Sequence, residues 1–418
     1  MRIAYITYEY PPDTPDGGIA TYVHQVARMM QQRGHGVEVF TASSSRNGTQ
    51  VVDNILEHRV QETDRGIFRK RVGEIFALRH RDNPFDVLEG PDYYADADHA
   101  IQLVPDIPFV VKVHTPSFLV NGLTGAVDLR RRLRYELWKL LATGSIVPNS
   151  ISIFLLNKLR RGEESLNSLY RLEREHALKA DIVAPPCEDM CSIVENYWQI
   201  SKSKIRFSPH PYLTTGTNDP LFDDHGKKIV GFVGRLERRK GIDVLVRSIP
   251  LVVRVFPDVT FRFIGNPLNH SSGQRYDNWI KNFLGKYKDR AEFFGKVGLE
   301  QIPLELSKMA VCVFPSLWDN FPNVCLEAMS VGRPIIASSS GGMREMLNGG
   351  EVGRLVPPGD SRALARSIIE LLGNPKERQR LAALAKIRLR SKYSWEFIGP
   401  SMESMYCDAI SRARQRRR

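Results

Sequence analysis

Residues 229–241 read IVGFVGRLERRKG, and the order of apolar, glycine and charged positions in this stretch decides the fold class. The apolar, β-branched segment Ile229–Val233 predicts a buried strand. A glycine-containing loop follows, and a helical pattern then runs over Ile242–Phe256. A strand that leads through such a loop into a helix is the repeating unit of an α/β fold.

The same alternation occurs in the N-terminal half, where Arg2–Tyr8 predicts a strand and Ile19–Arg33 predicts a helix. Further strands are predicted at Val37–Thr41, Asp86–Glu89, Phe109–Val113, Ala180–Ala184, Val259–Ile264, Ala291–Phe294, Val311–Phe314 and Pro334–Ala337. Helices are also predicted over 127–143 and 152–179. Two alternating halves predict two doubly wound α/β domains, Rossmann-like in type, that face a cleft.

Residues 214–228, TTGTNDPLFDDHGKK, are polar and contain Gly and Pro, which predicts a linker. The first domain is therefore expected over 1–213 and the second over 229–393. Because doubly wound sheets bind ligands outside the carboxyl ends of their strands, the loops after strands are expected to hold the site.

Composition excludes several classes of protein. Hydrophobic residues make up 42% and charged residues 25% of the 418 positions, which excludes a disordered chain, a fibre and a disulfide-dense mini-protein. No stretch approaches the ~18 apolar residues of a membrane span, and the N-terminus lacks the apolar region of a signal peptide. The five scattered Cys suit reduced thiols. These features predict a cytoplasmic protein.

The net charge of +12 is unevenly distributed, because basic and acidic residues balance over 1–215 and the excess lies in 216–418. The chain ends with Arg412, Arg414, Arg416, Arg417 and Arg418. Such a tail suits a polyanion, an anionic membrane surface or phosphate groups, or it is simply solvated. Nucleic acid is not expected, because aromatic residues are not interleaved with the basic ones. Residues 128–139, DLRRRLRYELWK, form either a helix that docks peripherally on an anionic membrane or a solvated helix face.

Arg235 and Lys240 emerge at the carboxyl end of the strand Ile229–Val233. Arg makes forked contacts to phosphate oxygens and Lys adds a point charge, so the two predict a diphosphate clamp. Their neighbours, residues 237–239, could be only a solvated loop.

Residues 315–329, PSLWDNFPNVCLEAM, also follow a predicted strand. Asp319 and Glu327 lie across a loop that turns into a helix, and carboxylates accept hydrogen bonds from sugar hydroxyls. The helix start at Phe321, Pro322 and Asn323 would offer N–H groups to phosphate. Alternatively, Asp319 or the following Asn merely caps the helix and Glu327 is a buried polar residue.

Four residues in the first half also follow strands. Gly17 and Gly18 precede the first helix, where paired glycines either let a phosphate approach the helix N-terminus or only form a tight turn. His114 ends the strand VVKVH and could face the reacting sugar or be a hydrogen-bonded loop histidine. Glu89 could face the cleft, on its acceptor side, or cap the next helix.

The chain resembles the retaining nucleotide-sugar glycosyltransferases of family 4, which have the GT-B architecture. The resemblance rests on VGRLERRKG, PSLWDNFPNVCLEAM, GGMREML and GRLVPPGD in this order, and it covers nearly the whole chain. The family usually has Glu-x7-Glu where this chain has Asp319 and Glu327. Asp is one methylene shorter, which leaves its reach to the donor sugar open.

The resemblance implies a role for each matching residue. Arg235 and Lys240 would bind the donor diphosphate, and Glu327 would hold the ribose hydroxyls. Asp319 would hold the donor sugar together with the backbone of Asn320, Phe321, Pro322, Asn323 and Val324.

Three more positions take roles from the resemblance. Gly18 would face the phosphates, His114 would lie beside the anomeric carbon, and Lys296 matches a stretch whose backbone reads the base. The family also returns its last helix to the N-terminal domain, and Trp395–Ile410, within 394–418, is placed to do so.

The function expected on this basis is transfer of a hexose from a nucleotide-sugar to a saccharide or lipid-linked saccharide in cell-envelope or exopolysaccharide biosynthesis. UDP is the first choice of nucleotide and GDP the second, and the N-terminal domain is expected to bind the acceptor. No cofactor is expected. No metal is expected either, because the clamp supplies cations and the only Asp-x-Asp, 96–98, lies in an apparently helical stretch. The alternatives are a GT-B sugar-nucleotide epimerase and a non-catalytic nucleotide-sugar-binding protein.

Overall fold

The computed structural model describes residues 1–14, 17–124, 167–213 and 226–417. These residues form two compact units, one containing 1–14, 17–122, 167–213 and 395–417 and the other containing 226–394. Three sequence predictions lie wholly or partly outside the described residues: helix 127–143 with its basic segment 128–139, positions 152–166 of the next helix, and positions 214–225 of the linker.

The first unit is built on a seven-stranded sheet. Its strands are β1 (Arg2–Thr7), β2 (Gly36–Ser43), β3 (Gly48–Val52), β4 (Ile55–Gln61), β5 (Val87–Pro91), β6 (Phe109–Lys112) and β7 (Ile182–Ala184), in the spatial order β3-β4-β2-β1-β5-β6-β7. All neighbours are parallel except β3, which pairs antiparallel with β4. This hairpin was not predicted, because β3 is a largely exposed edge strand without alternating apolar residues.

Helices connect these strands. Those of the first unit are α1 (Gly18–Gln32), α2 (Arg65–Asp82), α3 (Asp98–Leu103), α4 (Ser117–Thr124), α5 (Ser168–Lys179) and α6 (Glu188–Asn196). Helix α1 buries Val23, Val26, Ala27 and Met30, as its helical spacing predicts. Gly34, at φ +87°, then turns the chain into β2.

The second unit contains a six-stranded, fully parallel sheet. Its strands are β8 (Ile229–Val233), β9 (Thr260–Ile264), β10 (Ala291–Gly295), β11 (Val311–Phe314), β12 (Ile335–Ser338) and β13 (Arg354–Val356), in the order β10-β9-β8-β11-β12-β13. Its helices are α7 (Ile242–Val255), α8 (Tyr276–Leu284), α9 (Ile302–Ser307), α10 (Asn323–Ser330), α11 (Met343–Met346), α12 (Ser361–Gly373) and α13 (Pro375–Lys392). The short strand β13 was not predicted.

Both sheets have the strand order of the doubly wound fold once the added edge strand β3 is set aside. The prediction of two doubly wound domains is therefore confirmed. The order reverses between β1 and β5 in the first sheet and between β8 and β11 in the second. Ligands of such sheets bind at this reversal point, outside the carboxyl ends of the strands.

The last helix, α14 (Trp395–Arg416), belongs to the first unit, which confirms the predicted return. Its buried side chains, including Met402 and Tyr406, share one hydrophobic core with Tyr5 of β1 and Val26 of α1. On its outer face Glu403 pairs with Arg33 at 2.7 Å. Among the described residues, no helix is both long and apolar enough to cross a membrane.

Candidate active site

Two loops of the second unit meet at the reversal point of its sheet. Residues 234–241 follow β8, and residues 315–322 follow β11. Gly241 has a φ of +74°, and a Cβ on it would lie 1.9 Å from the carbonyl oxygen of Pro315. Only glycine allows this approach, so the loop with the predicted cations packs directly against the loop with the predicted carboxylate.

Lys240 and Asp319 form an ion pair across these loops. The Lys240 ammonium lies 2.5 Å from Oδ2 of Asp319, which also accepts a hydrogen bond from the Ser316 hydroxyl at 3.2 Å. Burial lowers the pKa of Lys240, and the Asp319 carboxylate partly offsets this effect. Burial alone would raise the pKa of Asp319, but Lys240 and then Arg239 outweigh it, so the pKa is lowered. The ion pair therefore favours the charged form of each group.

Residues 237 and 239 are not a solvated part of the loop, which corrects that reading of the sequence. Glu237 and Arg239 are both buried, and Arg239 donates to Oε1 of Glu237 at 2.8 Å. The other end of the Arg239 guanidinium lies 3.7 Å from Oδ1 of Asp319. Arg239 thus places a second positive charge next to the Asp319 carboxylate, on the side of its Oδ1 atom. The sequence offered no signal that separates this buried Arg from its partly exposed neighbour Arg238.

Arg235 occupies the exposed side of the same loop. Its side chain is 58% exposed, and its guanidinium lies 3.5 Å from Oε1 of Glu237. An exposed guanidinium at the carboxyl end of β8 can reach a ligand in solution, as the diphosphate clamp requires. Its phosphate-binding role stays a prediction.

Glu327 lies on α10 and is 8% exposed. Within the described part of the chain, no side chain or backbone N–H is hydrogen-bonded to its carboxylate. Burial raises its pKa to about 7. A buried carboxylate without a protein donor is unfavourable by itself, and paired hydroxyls of a ligand would satisfy it.

The loop that leads into α10 is rigidly held. Asn320, Phe321 and Pro322 are buried, and Pro322 occupies the position before the helix, where no side chain caps it. Asp319 and Asn320 therefore do not occupy the N-cap position of this helix, which begins at Asn323. Gly341, which follows β12, has a φ of +61°, and a Cβ there would lie 1.9 Å from the carbonyl oxygen of Asp319.

Lys296 lies further from the two loops at the reversal point of the sheet than the other predicted residues of the second unit do. It follows β10, the edge strand, which is separated from β8 by β9, and it is exposed. Its predicted base-reading role stays a prediction.

In the first unit, Gly17 and Gly18 precede α1 at the end of the loop after β1. A Cβ on Gly17 would lie 2.5 Å from Oε2 of Glu9, whose carboxylate pairs with Arg65 at 2.9 Å. No atom lies within 4 Å of a Cβ built on Gly18. This contact involves only the end of the flexible Glu9 side chain, so it does not by itself require glycine at position 17.

His114 follows β6 and is buried. Its backbone N–H donates to Oδ1 of Asp92 at 2.7 Å. Its ring packs edge-on against Tyr22, with the ring centroids 5.2 Å apart. Burial, together with the charge of Lys112, lowers the pKa of His114 to about 3. Its imidazole is therefore neutral under ordinary conditions. Asp92, whose pKa burial raises to about 7, was missed because a lone Asp after a strand has no distinguishing pattern.

Glu89 is 2% exposed and accepts hydrogen bonds from Tyr22 and Tyr406, both at 2.9 Å. Since Tyr406 lies on α14, Glu89 fixes the returning helix to the sheet. A role for Glu89 on the acceptor side stays a prediction.

A cavity of about 780 Å³ opens at the carboxyl edge of the first sheet. It is lined by Glu9, Thr63, Asp64, Arg65, Gly66, Arg69, Tyr93 and Tyr94 and by α5 residues Ser168, Leu169, Arg171, Leu172 and Glu175. The Arg65 guanidinium lies over the ring of Tyr94 at 4.7 Å. This cavity was not predicted, although two adjacent tyrosines shortly after the strand β5 could have indicated a binding site there.

In the part of the chain that the structure describes, no group of three or more His, Cys, Asp and Glu side chains is arranged to hold a metal ion. The second unit instead presents Arg235 and Lys240 as cations, the start of α10 as N–H donors and Glu327 as an acceptor. This set can bind a molecule that carries both phosphates and a diol.

Two family profiles match the chain. Residues 17–210 match the family described as "Glycosyl transferase 4-like domain", and residues 227–374 match "Glycosyl transferases group 1".

Curated relatives agree with these matches. D-inositol 3-phosphate glycosyltransferase of Corynebacterium urealyticum is 30% identical over 97% of this chain and 95% of its own length. Spore coat protein SA of Bacillus subtilis is 32% identical over 44% of this chain, a match that spans 49% of that protein.

Solved structures show the same fold. Sucrose-phosphate synthase from Thermosynechococcus elongatus superimposes with a TM-score of 0.75 and 22% identity, covering 98% of this chain and 99% of that one. Anabaena HepE, solved in complex with UDP-glucose, gives a TM-score of 0.65 with 15% identity, covering 97% and 99%. With these two folds, two matching profiles and a full-length relative at 30% identity, the chain belongs to glycosyltransferase family 4 and is a glycosyltransferase of the GT-B architecture.

Proposed function

We propose that this enzyme transfers a hexose, with retention of configuration and without a metal ion, from a UDP-sugar such as UDP-glucose to a saccharide or lipid-linked saccharide. The observation that carries the proposal is the arrangement in the second unit. A partly buried Lys240 pairs with Asp319, and among the described residues no donor is bonded to the buried Glu327 carboxylate. These groups flank the start of α10 at the reversal point of the sheet. The complex of HepE with UDP-glucose supports UDP over GDP as the nucleotide.

The charges of the site suit cleavage of a sugar–phosphate bond. As the bond between C1 and the phosphate oxygen breaks, negative charge grows on the diphosphate and positive charge on the sugar ring. Cations fixed at the diphosphate stabilise this transition state more than the ground state. Lys240 is held by Asp319, so it needs little reorganisation, and Arg235 adds a forked donor.

The remaining groups place the donor. Glu327 accepts from the ribose hydroxyls, and Asp319 with the backbone of residues 320–324 holds the sugar. The acceptor hydroxyl forms the new bond to C1, and its proton passes to the departing phosphate oxygen. His114, neutral at physiological pH, can act as a hydrogen-bonding group but not as a cation.

The acceptor sugar is proposed to occupy the cavity beside Tyr93 and Tyr94. Saccharide rings pack on aromatic faces, and the cavity wall alternates donors such as Arg65 with acceptors such as Glu9. We further propose cell-envelope or exopolysaccharide assembly as the pathway and the cytoplasmic side of the membrane as the location. None of the five Cys forms a disulfide, which supports a reducing compartment.

A thermal-shift panel with UDP, GDP, ADP and NAD, each in EDTA, tests the proposal. A ligand at about 100 times its Kd adds roughly 2.7 kcal/mol to the stability of the native state. We expect a shift with UDP that EDTA leaves intact, followed by turnover of UDP-glucose. A GDP-selective shift would change the donor and keep the mechanism. A shift with NAD alone, or one lost in EDTA, would refute the proposed donor site, and UDP binding without turnover of any UDP-hexose would indicate a binding protein.

A further inference from the structure

A second, smaller cavity lies in the first unit, away from the groups described above. It has a volume of about 390 Å³ and is lined by Leu178, Lys179, Asp181, Lys204, Arg412, Gln415 and Arg416. Asp181 directly precedes β7, so this cavity lies at the amino ends of the strands. His114 and the tyrosine-lined cavity lie at the carboxyl ends. We call the smaller cavity the basic groove.

The basic groove concentrates positive charge. Lys179, Lys204, Arg412 and Arg416 bring four cations to it, and among the described residues that line it only Asp181 is acidic. The Asp181 carboxylate already accepts from the N–H of Phe109 at 2.9 Å. Lys179 pairs with Asp98 at 2.9 Å, and Arg416 lies 3.5 Å from Asp181. Among the described residues no carboxylate lies within ion-pair distance of Lys204 or Arg412, so two of the four positive charges are not balanced.

The walls are preorganised. Lys204 donates to the carbonyl oxygens of Ala180 and Leu178 at 2.8 and 3.1 Å, and Arg412 donates to the carbonyl oxygen of Ser203 at 2.7 Å. Burial lowers the pKa of Lys204, and repulsion from Arg416 and Arg412 lowers it further against the attraction of Asp181. An anion in the groove would relieve this repulsion.

We propose that the basic groove is a binding site for a phosphate group, carried by a soluble phosphate ester or by an anionic lipid headgroup. Guanidinium groups bind phosphate oxygens through paired N–H donors, and a lysine adds a point charge. This proposal gives a role to the arginine-rich C-terminal segment, which the proposed transfer reaction does not use. The proposal does not depend on the donor or acceptor of the enzyme.

The test compares two double variants that remove equal charge from the same C-terminal segment, 412–417. Arg412→Gln with Arg416→Gln empties the groove of two cations, whereas Arg414→Gln with Arg417→Gln removes two that do not line it. One arm measures the thermal shift caused by inorganic pyrophosphate at saturating UDP, so that donor-site binding does not contribute. The other arm measures sedimentation with phosphatidylglycerol vesicles against phosphatidylcholine vesicles.

We expect the groove variant to lose roughly 30-fold in affinity in at least one arm, as two basic contacts would contribute. The matched control should retain most of its binding. Loss in the pyrophosphate arm identifies a soluble ester, and loss in the vesicle arm identifies a lipid headgroup. Equal behaviour of the two double variants in both arms, or no binding by the unaltered protein, would overturn the proposal.

Discussion

The ammonium group of Lys240 lies 2.5 Å from Oδ2 of Asp319, although 79 positions separate the two residues in the chain. The pair joins the loop after β8 to the loop after β11. Arg239 approaches the other carboxylate oxygen at 3.7 Å. The carboxylate therefore positions Lys240 and opposes the fall in its pKa that burial causes, and the proposed donor site depends on this pair.

Replacing Lys240 by Gln should lower kcat by roughly 100-fold or more, because a fixed charge at the departing diphosphate is lost. Arg235→Gln should act in the same direction. Arg238→Gln is the matched control, since it removes a cation from the same turn and should change kcat by about twofold at most. Single-turnover measurements with UDP-glucose give the comparison. Normal kcat in both the Lys240 and the Arg235 variants would contradict the clamp.

Replacing Asp319 by Asn should move the alkaline limb of the pH–rate profile to lower pH. Activity requires the protonated Lys240, so the rate falls as pH rises through the pKa of this residue. Burial already lowers that pKa, and Asp319 raises it. Asp319→Glu keeps the charge and should keep the limb near its original position. An unshifted limb in the Asn variant would mean that Asp319 does not govern the protonation of Lys240.

The affinity for UDP-glucose should depend on pH through Glu327. Burial raises the pKa of Glu327 to about 7, so the ionised acceptor forms only as pH rises through that value. Binding should strengthen roughly tenfold from about pH 6 to about pH 8. Glu327→Gln should bind more weakly and lose this dependence. Calorimetric titration of both proteins over this range checks it, and a parallel pH dependence in the two proteins would refute the assignment.

Glu327 should also make the free energy of unfolding depend on pH. A carboxyl group with a higher pKa in the folded state than in the unfolded state takes up protons on folding. Its contribution to stability is therefore greatest below its unfolded pKa and declines as pH rises through about 7. Glu327→Gln should flatten the dependence of the unfolding free energy on pH in this range.

Removing the Tyr406 hydroxyl should destabilise the first unit. Tyr406→Phe takes one of two hydroxyl donors from the buried Glu89 carboxylate, a loss of about 1–3 kcal/mol. Tyr5→Phe is the control, because its hydroxyl bonds only to that of Tyr406 and its loss should cost about 0.5–1.5 kcal/mol. Urea unfolding measures both. Equal losses would mean that the bond to Glu89 does not hold the returning helix.

Gly341→Ala should destabilise the second unit and impair donor binding. Gly341 and Gly349 have similar positive φ angles, +61° and +64°, so alanine strains the backbone at both positions. Only at position 341 would the Cβ also lie 1.9 Å from the Asp319 carbonyl oxygen. Gly349→Ala, with no atom within 4 Å of the Cβ, isolates the effect of strain. Equal unfolding free energies and equal UDP binding in the two variants would contradict the predicted clash between the Cβ at position 341 and the Asp319 carbonyl oxygen.

Local pattern was enough to predict the doubly wound architecture. Apolar runs such as Ile229–Val233, each followed by a glycine loop and a helical pattern, occur in the order that the sheets require. The hairpin of β3 and β4 was missed because its exposed edge strand lacks an apolar pattern. Strand β13 was also missed, because three residues are too few to show a period.

The sequence by itself determined a two-domain α/β chain with cations and carboxylates on loops after strands, since those features are written in local order and spacing. Its resemblance to family 4 implied a glycosyltransferase. Only the tertiary structure decided what these groups contact. Arg238 and Arg239 are adjacent and chemically identical, yet the first is partly exposed and the second is buried against Glu237 and Asp319. Glu89 and Glu327 were both candidates for ligand binding in the sequence. In the structure two tyrosines donate hydrogen bonds to Glu89, whereas no donor in the described chain is bonded to Glu327. Burial and partnership depend on segments that lie far apart in sequence, and the packing of those segments sets the pKa of each group.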